Sequence, residues 1–167
     1  MILHRLVAEN FKVFGERIEL EFPEKGRIGI FGPNESGKTT LFQAIEYALY
    51  GLKKGPGIEE QRENLVTWGK SETKLELEFS SAEKRYRMAR RFGVQSGHSA
   101  RLVPVIDGNE DKRNEITSIT AIEAMVEQLT GMDRDSFAKL IYMRQKDLDA
   151  LKDLVKSQRE QLLNKVM

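Results

Sequence analysis

The 167-residue sequence contains no cysteine, so it holds neither a disulfide framework nor a cysteine-ligated metal site. Histidine is nearly as scarce. His4 and His98 each stand alone, without a second ligand at metal-binding spacing, and read as surface residues. An excess of one charge is missing too: 27 basic and 26 acidic residues leave a formal net charge of +1. That excludes a chain-wide basic signature for nucleic acid, and any DNA contact must be local or lie elsewhere. No apolar run is long enough to span a membrane, and Met1-Ile2-Leu3-His4-Arg5 lacks the core of a signal peptide. The expectation is a soluble intracellular protein of one domain, long enough to bury a core.

What the sequence does have is a glycine-bounded loop, Gly32-Pro33-Asn34-Glu35-Ser36-Gly37-Lys38-Thr39. It follows the apolar run Ile28-Gly29-Ile30-Phe31 and precedes the helical pattern Thr40–Leu49. Strand, loop, Lys-Thr and helix are the context of a phosphate-binding P-loop, G-x-x-x-x-G-K-[ST]. A loop wrapping a triphosphate must aim several backbone N–H groups at one centre, and side chains at the turn would obstruct it. The helix start adds unpaired N–H groups and the positive end of its dipole. Lys38 is suited to the terminal phosphates, and the Thr39 hydroxyl to magnesium, which takes few protein ligands.

Read in order, residues 2–9 form a first strand and Arg17–Phe22 a strictly alternating second one, ended by Pro23. Arg27–Phe31 is expected as a third, buried strand feeding the P-loop. Gly51 is placed to cap the following helix. A glycine- and charge-rich loop over 51–63 gives way to Asn64-Leu65-Val66-Thr67-Trp68-Gly69. The runs Thr73–Phe79, Lys84–Phe92 and Ala100–Ile106 read as antiparallel hairpins. Ile119, Ile122, Met125, Val126 and Leu129 share one face of a helix over 119–130 that Gly131 closes. A short helix over Ser136–Tyr142 and a charged helix from about Leu148 complete the pattern.

Other stretches carry competing readings. Leu102-Val103-Pro104-Val105-Ile106-Asp107 looks at first like the acidic strand of a P-loop ATPase. Pro104 would remove a ladder donor from a central strand, and Asp107-Gly108 is an ordinary hairpin dipeptide, so a turn is expected. The catalytic acidic strand is then missing from this chain. Arg85, Arg87, Arg90 and Arg91, interleaved with Tyr86 and Phe92, form either a DNA-contacting strand or a solvated face paired with Glu76, Glu78 and Glu83; the second is favoured. Trp68 either packs a nucleotide base or fills a core gap, and its position favours the core. Lys12 either reaches a phosphate or is an exposed turn lysine. No guanine-reading N/T-K-x-D motif follows the loop.

Several stretches together resemble the N-terminal ATPase segment of the SMC-like DNA-repair ATPases, most closely the Rad-fifty/SbcC family. Glu9-Asn10-Phe11-Lys12 is similar to the family's opening motif, Asn34 stands where the superfamily has asparagine, and Lys84–Phe92 resembles its arginine-rich hairpin strand. Leu129–Phe137 followed by Ile141–Ala150 resembles the approach to its Q-loop. The resemblance implies an α/β (α+β) P-loop ABC-type ATPase half-head with mixed and antiparallel sheet, ending in the start of a coiled-coil helix. Residues 1–147 would be the N-terminal lobe and 148–167 the coiled-coil root, with the C-terminal lobe absent.

The same resemblance implies the site. Lys12 would sit near the phosphates, and Asn34, Glu35, Ser36, Gly37, Lys38, Thr39 and Thr40 would form the cradle for ATP. Val66, Thr67 and Trp68 would border base and ribose. Gln145 would join Thr39 on Mg2+ and sense the terminal phosphate, making Lys38 and Gln145 the catalytic pair. Implied partners are the C-terminal ATPase segment of the same protein, a second head that homodimerises on ATP, an Mre-eleven/SbcD-type nuclease and double-stranded DNA, with no membrane. The location would be cytoplasmic, nucleoid-associated, or nuclear in a eukaryote. The lobe would be inactive without its C-terminal segment. An ATP-gated structural DNA clamp without a nuclease is the alternative. Two departures stand out: Glu35 occupies a position where the family has a small residue, and Lys12 replaces a commoner arginine, giving up bidentate phosphate geometry.

Overall fold

The computed structural model describes residues 1–26, 28–52, 54–55, 58–59 and 62–140. They divide into two units, Met1–Gly131 and a segment beginning at Met132, each described by itself. The first unit opens with β1 (Ile2–Glu9) and β2 (Ile18–Glu21), followed by α1 (Lys38–Tyr50) and the short strands β3 (Lys54–Gly55) and β4 (Ile58–Glu59). Three long strands come next, β5 (Glu72–Ser81), β6 (Lys84–Gly93) and β7 (Gly97–Ile106), then β8 (Asn109–Glu110) and α2 (Ile119–Thr130). Six strands form one sheet in the order β2-β1-β5-β6-β7-β8, antiparallel at every pairing, while β3 and β4 pair with each other.

The period-2 alternation of these strands sorts the sheet into two faces. Leu20, Leu6, Leu77, Met88 and Leu102 are successive partners across five strands. The last four of them are fully or almost fully buried. Helix α1 packs on β5 and β6, and α2 on β7 and α1, bringing Ala44, Ala48, Leu49, Ile122 and Val126 into the same core. Tyr50 Oη lies 3.0 Å from Thr130 Oγ1, and Ser81 Oγ donates to the Leu129 carbonyl at 2.6 Å, fixing the end of α2.

The opposite face is a lattice of ion pairs. Glu78 binds Arg85 at 2.6 Å and Arg87 at 3.0 Å; Arg87 and Arg101 both reach Glu110, at 2.9 and 2.8 Å; Arg91 reaches Glu72 at 3.5 Å. The hydrogen bond from Arg101, with that from Arg87, outweighs desolvation and pushes the Glu110 carboxyl down to about 2. Three of the four arginines of β6 thus lie on a solvated, ion-paired face.

Turns and caps follow the local chemistry. Asp107 (φ 50°) and Gly108 (φ 78°) make the two-residue turn between β7 and β8, so Leu102–Asp107 is a hairpin arm and not a buried acidic strand. Pro104 is tolerated because the N–H it lacks would face Asp111, whose carbonyl accepts instead from Asn114 N at 3.1 Å, while the Pro104 carbonyl accepts from Asp111 N at 2.8 Å. Ser118 caps α2 at its start, and Gly131 (φ 74°) ends it. In the second unit α3 (Arg134–Leu140) is capped by Asp133, whose carboxylate accepts from Ser136 N at 2.7 Å.

One expected strand does not form. Among the described residues of Arg27–Phe31, Ile28 to Phe31 carry no strand pairing; Ile28 is 52% and Phe31 94% exposed. The run has the hydrophobicity of a buried strand, but a strand is held by a neighbour's hydrogen bonds, and none of the six strands of the sheet pairs with it. Instead the Phe31 ring folds back, to 2.5 Å from where a Cβ on Gly29 would lie.

Candidate functional site

The loop Gly32–Thr39 lies at the start of α1. Gly37 is its N-cap, buried and left-handed (φ 91°), and neither a side-chain cap nor an acidic residue in the first turn occupies the helix N-terminus. Glu35 is left-handed as well (φ 66°), exposed and without an ion-pair partner among the described residues. Its carboxylate is therefore free to point into water, the arrangement that limits repulsion of an anion in the loop. Lys38 turns back over the loop, its ammonium donating to the carbonyls of Gly32 at 2.7 Å and Pro33 at 2.5 Å. Asn34, Ser36 and Thr39 are exposed around the rim, and Thr40 is buried beneath it.

A second element abuts this loop. The turn after β1 is closed by reciprocal hydrogen bonds between Phe11 and Phe14, at 2.9 and 2.8 Å. It carries left-handed Asn10 (φ 53°) and Lys12 (φ 51°). The segment Leu65–Thr67 holds it from the other side: Lys12 N donates to Leu65 O and Thr67 N to Asn10 O, both at 2.9 Å, and Phe11 bridges Val66. The Phe14 ring edge lies 2.6 Å from where a Cβ on Gly37 would sit. The structure therefore brings Lys12, Val66 and Thr67 to the region of the P-loop helix start.

The predicted residues fare differently within it. The Lys12 ammonium donates to Gln43 Oε1 at 3.1 Å and lies 5.3 Å from the Tyr47 ring centroid, so it is tied to α1. The Thr67 hydroxyl donates to Lys12 O (2.8 Å) and Phe14 O (3.1 Å), serving the turn. Val66 is buried. Trp68 is 98% exposed, which overturns the core-filling reading: it sits in a tight turn just past the last residue tied to the Asn10–Phe14 turn, beyond the packed layer. Gln145 and the coiled-coil root 148–167 lie outside the described residues.

Sequence reasoning missed the role of Arg90, which it grouped with its neighbours. Arg90 is 2% exposed and donates from Nε to Ala48 O and from Nη2 to Leu49 O, both at 2.8 Å. It caps the negative end of the P-loop helix and ties it to β6. The signal was present: alternation in KRYRMARRF puts Arg90 on the face of Tyr86, Met88 and Phe92. His98 also departs from the isolated surface reading, stacking on Phe92 at 4.6 Å beside Arg90.

The donor set suits a polyphosphate on two observations. A Cβ on Gly37 would fall 2.6 Å from the Phe14 ring at a left-handed backbone position, so this glycine holds the loop in a form that a side chain would break, and one on Gly32 would fall 2.6 Å from Ser36 Oγ, which would have to rotate away. The Lys38 ammonium is also held over the loop at the uncapped helix start, where an anion is favoured. For magnesium the described residues offer the exposed Thr39 hydroxyl; no group of three or more His, Asp or Glu forms a separate cage among them.

The AAA domain family matches residues 5–166. A DNA double-strand break repair Rad50 ATPase of Methanocaldococcus jannaschii is 29% identical over 168 residues, covering 100% of this chain and 15% of that protein. An SbcCD nuclease component of Deinococcus radiodurans, SbcC, is 26% identical over 162 residues, covering 96% of this chain and 18% of that protein. The chain thus spans under a fifth of the length of either curated relative. A solved chain from work on ATP-driven dimerization and DNA-stimulated activation of SMC ATPases covers 100% of both chains with a TM-score of 0.67 at 18% identity, a likeness of fold. The chain belongs to the AAA domain family, as an N-terminal segment of the SMC-like Rad50/SbcC ATPase type.

Proposed function

We propose that this chain is the ATP-binding N-terminal lobe of a DNA double-strand-break repair ATPase, with the lobe over residues 1–147 and the root of a coiled coil over 148–167. The observation that carries the reading is the cradle Gly32–Thr39 on an uncapped helix start, in a chain matched almost throughout by the family. The backbone N–H groups of Asn34 to Thr40 hold the phosphates, Lys38 supplies positive charge, and Lys12 adds a second cation once released from Gln43. Val66, Thr67 and Trp68 border base and ribose. Thr39 and Gln145 hold Mg2+, and Gln145 senses the terminal phosphate. When bound, Mg-ATP supplies the scissile phosphoanhydride, and catalysis by the protein is positioning and charge stabilisation.

The lobe does not complete the reaction alone. Ile28–Phe31 has the composition of a buried strand but leaves Ile28 and Phe31 exposed, and no acidic catalytic strand follows among the described residues. The C-terminal ATPase segment of the same protein supplies what is missing. Two such heads close as a homodimer on ATP, and opening on hydrolysis regulates an Mre-eleven/SbcD-type nuclease and access to double-stranded DNA. Such a protein works where the DNA is, in the cytoplasm, on the nucleoid, or in a nucleus. Among the described residues no helix is long and apolar enough to cross a membrane.

Turnover tests the reading. Residues 1–167 alone should hydrolyse ATP poorly and the assembled head at an enzymatic rate, with Gln145→Ala sparing binding and slowing turnover. An enzyme-like rate from residues 1–167 alone would refute the missing-half argument. Copurification with a metal-dependent nuclease separates this function from that of an ATP-gated clamp without one.

A further inference from the structure

Thr67 has a more specific part than bordering a nucleoside. We infer that it is a positioning residue for the phosphate-binding loop, acting through Phe14. The inference rests on reading Gly32–Thr39 as the phosphate cradle.

The turn Asn10–Phe14 closes on itself through Phe11 and Phe14 but holds a strained residue. Asn10 and Lys12 are both left-handed (φ 53° and 51°); asparagine enters that region readily, whereas lysine does so at a cost and keeps it where surroundings enforce it. The enforcement comes from a segment more than fifty residues away in sequence. Thr67 contributes three of those ties: its N donates to Asn10 O at 2.9 Å, and its hydroxyl proton is shared between Lys12 O at 2.8 Å and Phe14 O at 3.1 Å. The hydroxyl thereby ties the carbonyl of strained Lys12 to that of Phe14 at the far end of the turn. A Cβ on Gly15 would lie 3.5 Å from the Thr67 methyl, so both branches of the side chain face the turn.

The far side of the turn is the wall of the cradle. Phe14 Cε1 lies 2.6 Å and Val13 Cγ2 3.2 Å from the Cβ position of Gly37, the buried, left-handed N-cap from which α1 begins. Gly37 is free to adopt many conformations, and this wall selects one. The same turn carries Lys12, whose ammonium is tied to Gln43 of α1. Loosening the turn therefore disturbs the N–H groups at the helix start and the second cation together. Both recognise phosphates and not a base.

That last point supplies the test, on the intact protein. Thr67→Val removes the hydroxyl at nearly constant shape, and Thr67→Ser keeps it. Binding of Mg-ATP and of magnesium tripolyphosphate, which has neither base nor ribose, is measured for each by equilibrium titration. Thr67→Val should weaken both ligands by the same factor, about tenfold, equivalent to about 1.4 kcal/mol, and Thr67→Ser should restore both. Unchanged affinities, or a loss confined to ATP, would overturn the inference, the latter by making Thr67 a direct base or ribose contact. Phe14→Leu, which removes the ring edge and leaves the turn's hydrogen bonds, decides the matter where Thr67→Val does not fold. It should weaken both ligands alike, and wild-type affinity would overturn the inference. Absence of binding of either ligand by the unsubstituted protein would overturn the cradle reading and this inference with it.

Discussion

The hairpin sheet and the loop that precedes α1 come from the same short chain and meet opposite fates. In β5–β7 the inward apolar rows pack against α1 and α2, the charged face is ion-paired, and even the buried Arg90 is spent on two helix carbonyls. In Ile28–Phe31 an apolar stretch has no ladder and leaves Ile28 and Phe31 exposed. Sheet and helices satisfy themselves; the nucleotide-side segment is built for something the described residues do not supply. The lesson is that apolar composition reports a demand for burial, not who meets it.

Three substitutions sharpen this contrast. The largest effect belongs to Arg90→Ala, on the self-sufficient side. It strands Ala48 O and Leu49 O and opens a hole beneath β6, and should cost about 3 kcal/mol of stability. Denaturant unfolding with unchanged slope checks it, and a loss under about 1 kcal/mol would remove Arg90 from the frame. Glu35→Gly should work in the other direction. Its left-handed backbone suits glycine, whose extra chain entropy offsets part of the relief, leaving a gain of about 0.5 kcal/mol without nucleotide. A thermal midpoint below wild type would contradict that. Phe31→Ser should change the stability of residues 1–167 by less than about 0.5 kcal/mol, because so exposed a ring buries nothing here. A loss comparable to that from a core phenylalanine would break the comparison.

Much of the fold was legible because its signals are local. Alternation located β5, β6 and β7 to within three residues, Asp107-Gly108 announced its turn, and Gly51 and Gly131 closed their helices where expected. The P-loop was legible for the same reason, since glycine spacing, Lys-Thr and a helix are contiguous. What failed was nonlocal. Arg27–Phe31 reads as a buried strand in any window, and only the sheet's strand order shows that Ile28 to Phe31 pair with none of its strands. The Thr67 latch joins residues 53 and 55 positions apart, a separation that no local pattern carries. Trp68 reads as core by position, while its neighbours' ties end one residue before it. Arg90 was legible in part: its face was given by alternation, its partners only by the fold.

The central claim is that the segment the sheet does not use, Gly32–Thr39, is the part that takes the phosphates. Equilibrium titration of Mg-ATP into the intact protein, wild type against Lys38→Ala, tests it most directly. The expected result is saturable binding by the wild type and no measurable binding by the variant, with both proteins unfolding at the same denaturant concentration. Equal ATP affinity in the two folded proteins would contradict it.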